Sequence, residues 1–187
     1  EDDLDTEQLS CVASGDMSIG VILPIFEDEY INILNLLCSS LPNLSKYNLY
    51  IKGHPGSDSV KLEKNLKDRG IARYLSCEKV VTILRKSSIV ISGLSSSSVE
   101  AVLMGIPTIL VSSADGFTRN PIPSSVPKDL WSVVYNKADM LSKLEYFALM
   151  SSRRREVLRN WAVAERQFYF NSSSKESIYR LLGVKEF

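Results

Sequence analysis

The chain has 187 residues, 44% of them apolar and 24% charged, which is enough for one sizeable core or two small ones and is not the composition of a disordered segment. Its 22 basic and 22 acidic side chains cancel to a formal net charge of zero, so no global field exists of the kind that draws nucleic acid or an anionic membrane surface.

Residues 1–16 are acidic and polar and read as a loop or linker; the leading segment is taken to 18. The run from Gly20 to Phe26 is short, apolar and rich in β-branched residues, as in a buried strand, with Pro24 at its edge or end. Glu27, Asp28 and Glu29 follow. Then Tyr30, Ile33, Leu34, Leu37 and Leu41 recur at helical spacing, and Pro42 is expected to stop that helix. Tyr47 to Lys52 is the next strand, ended by His54-Pro55-Gly56. Asp58 to Arg69 reads as a polar surface helix closed by Gly70. Ile71 to Leu75 is expected as a short strand, and Glu78 to Lys86 as a helix burying Val80, Val81 and Leu84. Ser88 to Ser92 is a central strand, Ser96 to Met104 a helix closed by Gly105, and Ile106 to Val111 another strand. Ser112 to Pro127 is a long loop. Trp131 to Tyr135 is a further strand, and Lys137 to Met150 a helix with Met140, Leu141, Leu144 and Phe147 on one face. Arg153 to Phe170 is a long helix with Val157, Trp161, Ala164 and Phe168 on one face, and a last helix spans about 174–182.

About six strands therefore alternate with helices, and the strands are short, continuous and apolar. This pattern predicts an α/β domain with a doubly wound parallel sheet and helices on both faces, joined by right-handed crossovers. The core domain is expected over 19–150, with 151–187 as C-terminal helices that pack on it or on a missing N-terminal domain.

Three widely spaced cysteines (Cys11, Cys38 and Cys77) and a single histidine argue against a disulfide framework and against a zinc site. A reducing, cytoplasmic compartment fits this pattern, and the sequons at Asn43 and Asn171 are then chance matches. No apolar stretch approaches the roughly 20 residues a membrane span needs, so membrane association would be at most peripheral, at the inner face. The leading residues lack the basic and apolar regions of a signal peptide and read as the middle of a longer chain.

In a doubly wound sheet, ligands bind beyond the carboxyl ends of the strands. Three polar clusters fall there: Glu27 to Glu29, the turn Lys52-Gly53-His54-Pro55, and the serine run Ser95 to Ser98 after Gly93. The serine run lies between a strand and a helix, where backbone N–H groups and the helix dipole favour an anion, and phosphate suits both. Plain capping is the alternative, because Ser97-x-x-Glu100 has the spacing of a capping box. One cap needs one serine, whereas this loop offers four. Pro55 stiffens the turn and biases His54 toward an extended backbone, so that imidazole and the Lys52 ammonium could share an anion. Glu100, one turn into the helix, could accept from ribose hydroxyls or complete the capping box. Glu27 and Asp28 could carry acid–base chemistry, or could be first-turn acids that favour their helix. The Gly-rich phosphate loop of P-loop proteins is absent.

Lys52-Gly53-His54-Pro55, followed by Ser92-Gly-Leu-Ser-Ser-Ser-Ser-Val-Glu-Ala-Val-Leu-Met-Gly-Ile-Pro-Thr108, resembles the C-terminal, donor-binding half of GT-B glycosyltransferases. The closest resemblance is to bacterial surface-polysaccharide enzymes with Lys-x-His-Pro and serine motifs. These include the Kdo transferases of capsule and lipopolysaccharide, and sialyl- and polysialyltransferases that use CMP-sugars. The resemblance covers roughly residues 19–148. It implies that His54, with Lys52 and Pro55, contacts the donor phosphate or nucleotide. It places Gly93 and Ser95 to Ser98 around the phosphate and Glu100 on the donor ribose. It implies no cofactor and no metal, a nucleotide-sugar as substrate, and a glycan or glycolipid acceptor held by a missing N-terminal domain. Two departures stand out. Ser92 occupies the place of a glutamate in many retaining members, and Gly53 the place of a frequent proline. The alternatives are a CDP-glycerol-type polyol-phosphate transferase, a sugar-nucleotide epimerase, or a non-catalytic module for a phosphorylated ligand.

Overall fold

The computed structural model describes residues 17–93, 95–113 and 120–169. The leading segment to residue 16 and the expected helix at 174–182 lie outside the described residues. Five strands form one sheet: β1 (Ser18–Ile22), β2 (Asn48–Lys52), β3 (Ile89–Ser92), β4 (Thr108–Val111) and β5 (Trp131–Val134). They are ordered β2-β1-β3-β4-β5, and every neighbouring pair is parallel. Among the described residues six α-helices surround the sheet: α1 (Glu27–Leu44), α2 (Ser59–Asp68), α3 (Val80–Lys86), α4 (Ser96–Leu103), α5 (Lys137–Ala148) and α6 (Ser152–Tyr169). Among the described residues no helix is long and apolar enough to cross a membrane.

Strand alternation splits the core between the two faces of the sheet. Ile19, Val21, Ile51, Ile89, Ile91, Ile109 and Val111 pack with Ile33, Leu34 and Leu37 of α1 and with Met140, Leu144 and Phe147 of α5. On the opposite face, Ile22 and Val90 meet Ile83 and Leu84 of α3 and Ala101 of α4, while Leu110 packs with Val102, Leu103 and Leu158 of α4 and α6. Both faces are covered, which is why strands β1, β3 and β4 are buried at every position and read as unbroken apolar runs. Gly20 lets α3 approach β1, since a Cβ there would stand 2.4 Å from Ser87 Oγ.

Several expectations are corrected. Among the described residues the sheet has five strands, against the expected number of about six. The segment Ile71–Leu75 forms a 3-10 turn (Ala72–Tyr74) that packs beside β2 but pairs with it only at an isolated bridge, Leu75 to Ile51. β1 starts at Ser18 and ends at Ile22, so Pro24 lies in the following loop. Pro42 does not stop α1. It sits in the last turn, where only one N–H is lost, and the buried Leu44 carries the helix past it. α6 turns Leu158 and Ala162 inward, leaving Val157 exposed. Its face is set by two arginines whose heads reach carbonyls at the ends of other helices. Arg155 donates to the carbonyls of Phe147, Met150 and Ser88, and Arg166 to that of Leu103 at 2.9 and 3.1 Å. In α3 the buried residues are Ile83 and Leu84, while Val80 and Val81 are half-buried.

Candidate functional site

In this strand order the chain runs outward in opposite directions from β1 and β3, so a crevice is expected between their carboxyl ends. The loop after β1, Leu23–Phe26, occupies that point. It is pinned on both flanks. On one side Ser57 Oγ donates to the carbonyl of Ile25 at 3.2 Å, and a Cβ on Gly56 would stand 2.9 Å from Ile25 Cδ1. On the other, Ser92 Oγ donates to the carbonyl of Ile22 at 3.1 Å, and a Cβ on Gly93 would stand 3.2 Å from Pro24 Cγ.

The His54 turn follows β2. His54 is exposed, and its Nδ1 accepts from the Gly56 N–H at 3.0 Å. With Nδ1 an acceptor, the neutral ring carries its proton on Nε2, which remains a donor. Lys52 is half-buried at the end of β2 and has no ion-pair partner among the described residues. Leu62 of α2 packs where a Cβ of Gly53 would stand, at 2.3 Å, which explains a glycine at a position where the resembling motif often has proline. The 3.0 Å hydrogen bond from Ser57 N–H to the His54 carbonyl closes the turn around Pro55 and Gly56.

The serine run follows β3 and opens α4. Its helix cap is Ser95, in extended conformation, and Ser95 makes no side-chain capping bond. The capping box from Ser97 to Glu100 is therefore not formed. The N–H groups of Ser96 and Ser97 face no acceptor among the described residues, which is the condition for an anion at a helix start. The four hydroxyls are not equivalent. Ser98 is fully buried and donates to the Ser95 carbonyl at 2.5 Å, so it belongs to the turn. Ser95 pairs with Ser92 at 3.3 Å. Ser96 is exposed and Ser97 half-exposed. Glu100 is half-buried, and burial without a charged partner raises its carboxyl above the usual range.

The His54 turn and the serine run thus share the carboxyl rim, on either side of the β1 end. Among the described residues no hydrogen bond joins them. Their strands are two interstrand spacings apart, roughly 10 Å. Glu27 and Asp28 lie in the first turn of α1. Glu27 pairs with Lys61 at 3.5 Å and accepts from Asn65 at 3.4 Å, so it ties α1 to α2. A small recess at the ends of β3 and β4 is lined by Glu29, Ile33, Gly93, Val111, Ser112 and Ser113. Asn32 holds its wall by donating to the Ser112 carbonyl at 2.8 Å. Sequence reasoning passed over Asn32; with Asn35 and Asn43 in the same helix, no local signal singled it out. Among the described residues no group of His, Cys, Asp and Glu could hold a metal ion.

No family model and no curated protein matches the sequence. Solved structures do match the fold. The catalytic domain of cholesterol-α-glucosyltransferase from Helicobacter pylori superposes with a TM-score of 0.52 at 15% identity, over 79% of this chain and 97% of that one. The C-terminal domain of a glycosyl transferase group 1 family protein from Francisella tularensis gives 0.53 at 14% identity, over 84% of this chain and 88% of that one. An O-GlcNAc transferase from Thermobaculum terrenum gives 0.56 at 19% identity, over 92% of this chain but only 36% of that one. The fold is thus the doubly wound, Rossmann-like domain seen in the C-terminal halves of GT-B glycosyltransferases.

Proposed function

We propose that the chain is the donor-binding half of a glycosyltransferase of surface-polysaccharide synthesis, using a CMP-sugar, with the glycan or glycolipid acceptor held by a further domain. The observation that carries this reading is the placement of two donor sets without an acceptor among the described residues, at His54 and at the start of α4, on one rim flanking the switch point. The N–H groups of Ser96 and Ser97 and their hydroxyls take the donor phosphate, where the helix dipole favours negative charge. His54 Nε2–H and the Lys52 ammonium stand on the β2 side, two interstrand spacings (roughly 10 Å) across the rim, so they meet a different part of the ligand's charge, a span that a nucleotide bridges and a lone phosphate does not. Glu100 accepts from the ribose hydroxyls, and its unpartnered carboxylate gains donors when the ligand arrives. These groups would stabilise charge on the leaving phosphate by preorganised dipoles and cations. The fold likeness supports a transferase of this architecture, and the two motifs support the nucleotide.

Thermal unfolding with CMP, CDP, UDP and GDP tests the proposal, since a ligand that binds only the folded state raises the midpoint. At a hundredfold excess over Kd the gain of about 2.7 kcal/mol corresponds to roughly 5–10 °C for a chain of this size. Stabilisation by CMP is the expected result. Stabilisation by CDP alone points to polyol-phosphate transfer, and no response to any nucleotide overturns the reading.

A further inference from the structure

A recess of about 210 Å³ lies at the pole of the sheet opposite the carboxyl rim, between the end of α1 and the second half of α5. It sits beside Tyr47, just before β2, and is roughly 13 Å along that strand from the His54 turn. Its floor is apolar. Leu44 and Leu144 are buried there, and Leu141 packs against the same core. Its mouth is polar, formed by Asn43, Lys46, Tyr47 and Glu145. The end of α1 is held in place without these side chains. Ser45 Oγ donates to the Pro42 carbonyl at 3.2 Å, and the Tyr47 N–H donates to that of Leu44 at 2.9 Å. The side chains of Asn43 and Glu145 have no hydrogen-bond or ion-pair partner among the described residues. Lys46 has no ion-pair partner there either, and its ammonium stands 5.2 Å from the centroid of the Tyr47 ring.

This lining selects a class of ligand. Lys46 and Glu145 carry opposite charges, so an ion drawn to one is repelled by the other. The ammonium only donates and the carboxylate only accepts, while the amide and the phenol do both. The matching molecule is uncharged, carries several hydroxyls that donate and accept, and has an apolar face for the leucines. A pyranose ring has all three properties. The volume is below the about 300–1,000 Å³ of sites for drug-sized ligands, so it suits one ring and not a nucleotide. We propose that the recess binds one neutral pyranose ring, either a free sugar or one unit of a glycan. Asn43 and Glu145 hold its hydroxyls, and the three leucines underlie the ring. The recess shares no residue with the His54 turn or the serine run, so this binding stands or falls apart from donor binding.

Saturation-transfer NMR of the chain with the methyl glycosides of glucose, galactose, mannose and N-acetylglucosamine tests the site. At least one is expected to bind, and to stay bound in an excess of CMP, CDP, UDP and GDP, because the recess is remote from the rim. Asn43→Ala is expected to weaken that binding about threefold to tenfold, and Glu145→Ala about tenfold or more. Neither should move the unfolding midpoint, since both side chains are exposed. The uronic acid and amino sugar analogues of the ring that binds should stay within about fivefold of it. A tetrasaccharide of the same unit separates the two sources. Tighter binding than the methyl glycoside assigns a glycan chain, and equal or weaker binding assigns a free sugar. The proposal is overturned if none of the four binds, if nucleotide displaces the sugar, or if both substitutions leave binding unchanged. A tenfold preference for either charged analogue also overturns it.

Discussion

The two polar turns that flank the end of β1 are built on different plans. The His54 turn is exposed and held by local bonds, from Gly56 N–H to Nδ1 and from Ser57 N–H to the His54 carbonyl. The serine turn is anchored in depth. Ser92 and Ser98 are buried, and the helix it opens is clamped from behind by α6 through Arg166 and the Leu103 carbonyl. The difference teaches where rigidity comes from. A tight turn can orient one side chain with nearest-neighbour bonds, whereas a helix N-terminus is only as fixed as the packing beneath its helix.

Two helix-ending glycines give the sharpest way to break that contrast. Gly105 (φ +71°) closes α4, and a Cβ there would stand 2.8 Å from the Arg159 backbone; Gly70 (φ +67°) closes α2 with nothing within 4 Å. Gly105→Ala combines a left-handed backbone with a clash and is expected to cost about 3 kcal/mol or more in denaturant unfolding. Gly70→Ala has only the backbone penalty, about 1 kcal/mol. Equal costs would show that α6 does not brace the serine side. His54→Ala comes next. Losing a charge-assisted bond is expected to weaken nucleotide binding about tenfold or more while leaving the unfolding midpoint nearly unchanged, because the side chain is exposed. A midpoint that falls by several degrees together with binding would mean that the loss acts through the Gly56 bond that holds the turn, not through a contact of the imidazole with the ligand.

Glu100 offers a pH test of the serine side. Its folded carboxyl titrates above the unfolded one because burial disfavours the charge. The folded state therefore holds more protons in the window between the two values, and stability falls as pH rises through that window. Glu100→Gln is expected to flatten this slope, raising stability slightly at neutral pH and not below the unfolded carboxyl range, while weakening nucleotide binding. A parent slope unchanged by the substitution would remove the desolvated carboxylate from the site. The smallest effect is expected at Glu27→Gln on the His54 side. Its ion pair with Lys61 is solvent-exposed and worth about 0.2–1 kcal/mol, and nucleotide binding should be unaffected. A loss of binding there would restore Glu27 as an acid–base candidate.

Much of the frame was legible because it rests on local rules. Buried parallel strands need continuous apolar runs, and helix stops need Gly70 and Gly105. What misled were segments whose local pattern and tertiary role diverge. Ile71–Leu75 has strand composition, but beyond β2 it finds only one bridge and coils into a 3-10 turn. Pro42 reads as a stop, yet Leu44 is worth burying. In α6 the spacing of Val157, Trp161, Ala164 and Phe168 suggests an inward face; Trp161 does pack against the core, but Leu158 and Ala162 are the buried residues, Val157 and Ala164 are exposed, and the side chain of Phe168 lies outside the described residues.

The sequence by itself determined the α/β alternation, the polar clusters at three strand ends and the choice of His54 and the serines as candidates, since periodicity and turn chemistry are written residue by residue. The tertiary structure decided the strand order that puts β1 between the two turns, and which hydroxyls face inward. Those depend on what stands opposite each side chain across the fold. A run of four identical serines carries no sign of where each proton must go until the carbonyls of Ile22 and Ser95 are in place.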